Sequence, residues 1–186
     1  MIRQGGLGER KPGIAASARS PLRYSLCYYG RMSIETDIQR CKEEEERIRF
    51  ASFDHELSYR IGIALHEEAQ TRGASVTIDI RAYGQQLFHL AMGGTAPDND
   101  RWIERKIAVV NRFGKSSFLV GRELAREELT IGERYFVSPL EFSPHGGCFP
   151  VRLRSGGIIG TVTVSGLTQQ EDHALVAAVL EKFVTS

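Results

Sequence analysis

Cys148-Phe-Pro-Val-Arg-Leu-Arg154 is followed by Ser155-Gly-Gly157, by Ile158-Ile-Gly-Thr-Val-Thr-Val-Ser165, and then by Thr168-Gln-Gln-Glu171. Two extended runs joined by a turn, with a helix start behind them, set the architecture. In the longer run Ile159, Thr161, Thr163 and Ser165 alternate with Ile158, Gly160, Val162 and Val164, the period of two that a strand requires. The glycine pair between the two runs is a turn signal, so they predict an antiparallel hairpin. Gly160 inside the second strand marks a bulge or a close backbone approach. Thr168 to Glu171 has capping-box spacing and opens a helix with Leu175, Ala178, Val179 and Phe183 inward. Glu171 and Asp172 complement the positive end of its dipole.

Outward from there the same two periods recur. Val76, Ile78 and Ile80 alternate with Thr77, Asp79 and Arg81, which predicts a half-buried strand. Tyr83-Gly84 is a turn, and Gln86 to Met92 returns with Phe88, Leu90 and Met92 on one face and Leu87, His89 and Ala91 on the other. Four helices surround this second hairpin. Ile34, Ile38, Cys41 and Ile48 form the stripe of the first, with Glu43 to Glu46 as a solvated run and Cys41 as a small buried hydrophobe. Asp54 caps the second, which carries Leu57, Ile61, Ala64, Leu65 and Ala69 and closes at Gly73; His66 lies beside that stripe. Asp98 is the expected cap of the third, whose wide arc holds Trp102, Ile103, Ile107, Val109, Val110 and Phe113 and stops at Gly114. Ser116 and Ser117 open a fourth, to about Leu129. Thr130 to Pro144 reads as a long loop with one short strand. The order is helix, helix, hairpin, helix, helix, hairpin, helix. Two antiparallel hairpins exclude a doubly wound parallel sheet and predict an α+β domain, a small antiparallel sheet with helices packed on it.

Composition agrees. The 186 residues are 41% hydrophobic and 25% charged, which is globular and not disordered. No run approaches the roughly 18 apolar residues of a membrane span. A net charge of +1 gives no general case for nucleic-acid binding. Three widely spaced cysteines make neither a disulfide framework nor a zinc site and point to a reducing compartment, hence the cytoplasm. The charge is unevenly spread. Residues 1–32 carry six basic residues against Glu9 alone, are rich in Gly and Ser, and lack an apolar period. They predict a disordered basic extension ahead of a domain at 33–186. Three origins are open: a transit peptide, an arm for an acidic partner, or an over-long start with Met32 as the true one. Met32 stands where the helical pattern begins, which favours the last. Without an apolar core the segment is not a secretory signal.

Three places could carry chemistry. In His145-Gly146-Gly147-Cys148-Phe149-Pro150, two glycines let the backbone approach a ligand or adopt positive φ. His145 suits an axial haem ligand or a general acid/base, and Cys148 a soft ligand or nucleophile. The alternative is that the glycines only shape a tight lead into the strand. From Ser165-Gly166 to His173, a helix N-terminus offers free N–H groups to an anion, against a plain capped helix with a surface histidine. Arg112, Lys115, Ser116 and Ser117 form a third corner for an anionic group, against simple capping. No P-loop, Gly-x-Ser-x-Gly elbow, His-Glu-x-x-His or Cys-x-x-Cys is present, and no residue is assigned a catalytic role.

The runs His145-Gly-Gly-Cys-Phe-Pro-Val, Gly157-Ile-Ile-Gly-Thr-Val-Thr-Val-Ser-Gly-Leu and Gln170-Glu-Asp-His-Ala-Leu-Val resemble the haem-degrading-domain family, in an uncharacterised branch related to GlcG-like proteins. Val76-Thr-Ile-Asp-Ile-Arg, Pro97-Asp-Asn, Arg105-Lys and Val109-Val-x-Arg-Phe fit the same branch. The resemblance spans about Ile34 to Val184. It implies a profilin-like three-layer domain with helices on both faces of the antiparallel sheet, and a homo-oligomer. It also implies a small-molecule ligand, haem or a related tetrapyrrole, while the charge and the lack of an apolar span predict no nucleic-acid or membrane partner. The positions carried over are Asp98, Asn99, Arg112, Ser116, Ser117, His145, Gly146, Gly147, Ser165, Gly166, Asp172 and His173. His145 would be the iron ligand, and Arg112 or Lys115 would meet an anionic group. Two departures stand out: Gly114 where the branch has a histidine after Arg-Phe, and Cys148 between Gly-Gly and Phe-Pro. The competing expectation is a protein-interaction module with no ligand turnover. An enzyme using Cys148 and a histidine is a third.

Overall fold

The structure, a computed structural model, describes residues 21–184, with side chains from Ser33 onward. Residues 1–20, most of the expected basic extension, lie outside the described residues. In chain order the elements are α1 (Pro21–Arg47), α2 (His55–Thr71), β1 (Thr77–Ala82), β2 (Gln85–Ala91), α3 (Pro97–Phe113), α4 (Ser117–Glu127), α5 (Ile131–Tyr135), β3 (Cys148–Arg152), β4 (Ile158–Ser165) and α6 (Gln169–Val184). The backbone of α1 thus begins inside the segment expected to be unstructured.

Both hairpins form as expected, and a third antiparallel pairing, β1 with β4, joins them into one sheet of order β2-β1-β4-β3. Ile78 lies opposite Val164 and Ile80 opposite Val162. Gly160 pairs with Ala82, and a Cβ there would stand 2.0 Å from the Arg81 carbonyl oxygen. It is therefore a point of close backbone approach.

The sheet has helices on both faces, so the domain is α+β in three layers. On one face Ile78, Ile80, Phe149, Val151, Val162 and Val164 pack against Ile61 and Leu65 of α2 and Leu175, Val179 and Leu180 of α6. This is the main apolar core. On the other face α3 places Ile103, Ile107 and Val110 against Cys148. The rest of that face is polar yet covered: Thr77, Asp79, Thr161 and Thr163 are all buried. β1 is therefore buried on both sides rather than half-buried, because α3 roofs its polar side. α1 and α4 pack together through Ile38, Cys41, Phe118 and Leu119. Past α1, Phe50 bridges to Leu153, so the chain shields the end of the β3 edge.

Three local expectations are corrected. Ala96, not Asp98, is the N-cap of α3; Pro97 takes the first helical position, Asn99 Oδ1 accepts from the Ala96 N–H at 2.8 Å, and Asp98 accepts from Trp102 Nε1. The expected strand in 130–144 is absent; α5 forms instead, because Thr130 and Glu133 cap each other's backbone N–H. The glutamate run is not wholly solvated: Glu45 reaches the Ser116 N–H at 2.7 Å, and Glu44 reaches His173.

Candidate functional site

The end of β4, the start of α6, the middle of α3 and the lead into β3 meet at one corner. A cleft of about 230 Å³ opens there, lined by Asn99, Trp102, Lys106, His145, Gly146, Ser165, Gly166, Leu167, Gln169 and Asp172. A second hollow of about 370 Å³ adjoins it, more apolar, with Leu124, Ala125, Ile131 and Phe142 beside Arg105 and Arg122. Trp102, His145 and Gln169 line both. His145 and Trp102 thus form a partition between a polar cleft and an apolar one.

His145 is exposed, and its ring orientation is fixed. Nδ1 lies 2.7 Å from Ser143 Oγ, and the ring meets Trp102 edge to face with centroids 5.1 Å apart. Partial burial, then the charges of Lys106, Arg105 and Arg122, hold its pKa below the usual imidazole value. The ring is therefore held neutral, with Nε2 carrying no hydrogen bond among the described residues. A neutral imidazole with one nitrogen anchored is the form that binds a metal centre.

The two glycines work differently from the exposed main chain expected of them. A Cβ on Gly146 would lie 1.9 Å from the Gln169 carbonyl oxygen, and one on Gly147 2.5 Å from that of Val164. Gly147 has φ +115°, and its carbonyl accepts from the Val164 N–H at 2.8 Å. Both therefore permit the chain to approach itself, pressing the lead into β3 against β4 and α6. The tight-turn alternative describes the glycines, while the imidazole beside them still faces open space.

Behind His145 lies a buried ion pair. Lys106 Nζ donates to Asp172 Oδ2 at 2.8 Å and to the Val164 carbonyl at 2.9 Å, and both side chains are 3% exposed. Asp172 Oδ1 accepts from the Leu167 N–H. Burial pushes the Asp172 carboxyl up, and the Lys106 ammonium opposes that push. Asn99 Nδ2 donates to the Ser165 carbonyl at 3.2 Å, tying α3 to the end of β4.

Of the residues expected from sequence, His145, Gly146, Ser165, Gly166 and Asp172 come together here with Asn99. Gly147 packs behind the cleft against Lys106 and Asp172, and the others lie elsewhere. Lys115 Nζ is clasped by both carboxylate oxygens of Glu123 at 2.8 Å. Ser116 caps α4 and receives Glu45; Ser117 Oγ accepts from the Cys148 N–H at 3.1 Å. Arg112 lies near the Phe113 and Phe142 rings. At that corner the chain's own carboxylates supply the anion. His173 is buried beneath α1, not on the surface. Cys148 is buried as well; burial pushes its thiol up to about 12, which leaves no thiolate for attack.

Sequence reading missed Trp102, Lys106, Ser143 and Arg122. Only Lys106 left a trace: a charge between Ile103 and Val110 on a covered arc, where a partner is required.

A family model described as "Haem degrading protein HbpS-like" matches residues 53–181. The chain belongs to this family. Among its HbpS-like relatives is a UPF0303 protein of Streptomyces avermitilis, 45% identical over 80% of this chain and 91% of the relative. The solved Ybr137w protein is 31% identical with a TM-score of 0.75, covering 80% of this chain and 87% of its own. A PduOC:Heme complex has a TM-score of 0.58 at 16% identity, covering 70% of this chain and 94% of its own, and shows a shared fold. Among the described residues no helix is long and apolar enough to cross a membrane.

Proposed function

We propose that this chain is an oligomeric small-ligand-binding domain whose ligand is haem or a related tetrapyrrole. The observation that carries this reading is His145, anchored through Nδ1 and standing between a polar and an apolar hollow. The residues fit the group. A planar apolar ring with carboxylates needs one neutral imidazole, an apolar wall and cations at its rim. His145 would ligate the iron; Leu124, Ile131 and Phe142 supply the wall. Arg122 Nε is buried with no hydrogen-bond partner among the described residues, a donor for which a carboxylate is the natural acceptor. Bound haem would supply redox chemistry at its iron; the protein's part is to hold it and exclude water. The haem-complexed structural neighbour adds support from the fold alone. A reducing, cytoplasmic setting suits the two described cysteines, both free and buried.

Titration of the purified protein with haemin tests this. A saturable, stoichiometric Soret shift is expected, lost in His145→Ala and weakened about tenfold or more in Arg122→Met. No saturable shift, or one unchanged in His145→Ala, overturns it. The rival reading, an interaction module without ligand turnover, rests on Phe136 and Leu140, which are 93% and 82% exposed. It predicts no Soret shift and a defined protein partner lost on changing those two residues.

A further inference from the structure

Away from the cleft, α1 and α6 bring three metal-binding side chains to one point. Cys41 and Glu44 stand three residues apart on the same face of α1, and His173 of α6 faces them. His173 Nε2 lies 3.6 Å from Cys41 Sγ and 2.8 Å from Glu44 Oε2. The donor atoms of all three fall within 4.8 Å of one another. We infer that Cys41, Glu44 and His173 form a binding site for one zinc-like divalent cation.

Geometry supports it first. Tetrahedral zinc with bonds of about 2.3 Å to sulfur and about 2.05 Å to nitrogen holds those two atoms about 3.6 Å apart. That is the Sγ–Nε2 distance found here. The oxygen must move outward by roughly half an ångström to reach tetrahedral spacing. Glu44 can do so, because its side chain reaches the surface at 12% exposure; that gap is also the way in.

Hydrogen bonding supports it second. One ring nitrogen faces both a thiol and a carboxylate, and a single N–H or lone pair serves only one of them. A cation at the focus serves all three, and a thiolate with a carboxylate balances its two charges. The ring is already oriented, since Phe118 stacks on it with centroids 4.8 Å apart. One feature limits affinity. His173 Nδ1 is buried without a partner among the described residues, so the outer support that metal-bound histidines ordinarily have is missing. Losing such support costs about 10–100-fold in affinity, which places this site below a structural zinc centre.

The probe is Co²⁺ added to the full chain, followed by Zn²⁺. Expected are a near-ultraviolet thiolate-to-cobalt band with intense visible bands of a four-coordinate ion, and bleaching by one equivalent of Zn²⁺. The thiolate band should vanish in Cys41→Ser and persist in Cys148→Ser. Glu44→Gln, which alters a side chain near the surface, should weaken binding at least tenfold while the circular dichroism spectrum stays unchanged. That arm stands even if Cys41→Ser folds poorly. Absence of the band, or affinity unaltered in Glu44→Gln, overturns the site. None of the three residues lines the His145 cleft, so haemin titration is a separate readout.

Discussion

Lys106 shows how one residue fixes the site. An ammonium at 3% exposure persists because Asp172 and the Val164 carbonyl surround it. Removing only the lysine leaves a buried carboxylate uncompensated. Lys106→Met is expected to cost about 3–5 kcal/mol, measured by urea denaturation, and the double change Lys106→Met with Asp172→Leu to recover most of it. Equal losses in the single and double variants would show that the cost does not come from an uncompensated Asp172 carboxylate. His145 carries a pH signature. Its folded pKa lies below the ordinary value of about 6.5. The neutral ring, which is the form that ligates iron, therefore survives as pH falls past 6.5 and is lost only further down. Haemin affinity measured from pH 8 to 5 should hold flat through 6.5 before dropping; a midpoint above 6.5 contradicts the site as described. His145 was legible in the sequence because glycines flanked it. Its partners were not, because Ser143, Trp102 and Lys106 come from segments whose meeting depends on how α3 lies across the sheet.

Among elements, α2 and β2 show what spacing alone conceals. Gly62 lies inside α2, where glycine costs about 1 kcal/mol relative to alanine. It is there because a Cβ would sit 2.5 Å from the Phe88 ring of β2. Crowding of that kind costs about 1–3 kcal/mol, which outweighs the gain in helix propensity. Gly62→Ala should therefore destabilise by about 1 kcal/mol, and in a Phe88→Ala background the same change should stabilise. Thermal melts of the four proteins decide it: no change of sign would mean the ring does not set this residue. The α6 capping box and both hairpins were readable because their signals are local. α5 was equally readable, since Thr130 and Glu133 have the same spacing as Thr168 and Glu171. Pro139 and Pro144, which follow, give the segment the punctuation of a loop and mask that spacing. The solvated reading of Glu43 to Glu46 failed for another reason: no local pattern shows that α4 arrives end-on at Glu45.

At the scale of the molecule, the unequal faces of the sheet explain where the site lies. The face under α2 and α6 is apolar throughout, so it closes as a core. The face under α3 carries Asp79, Thr161 and Thr163, and its end beside Ser165 stays open as the cleft. The alternation in β1 and β4 foretold two chemically different faces, but not that the polar one would be roofed. The segment that leads to His145 carries two exposed apolar residues, Phe136 and Leu140. Phe136 also takes φ +55°, a strained conformation for a bulky side chain. Covering each by a second copy would contribute about 1.5–3 kcal/mol per side chain toward association, against the rigid-body cost of joining two copies. Sedimentation velocity should show the wild type as an oligomer and the double variant Phe136→Asp, Leu140→Asp as a monomer. Its melting midpoint in dilute solution should move little, since both side chains project from the chain. Haemin binding by that monomer then separates two arrangements. A retained Soret shift means one chain holds the ligand between His145 and Arg122; a lost shift with intact fold means the second copy completes the enclosure that Leu124, Ile131 and Phe142 begin.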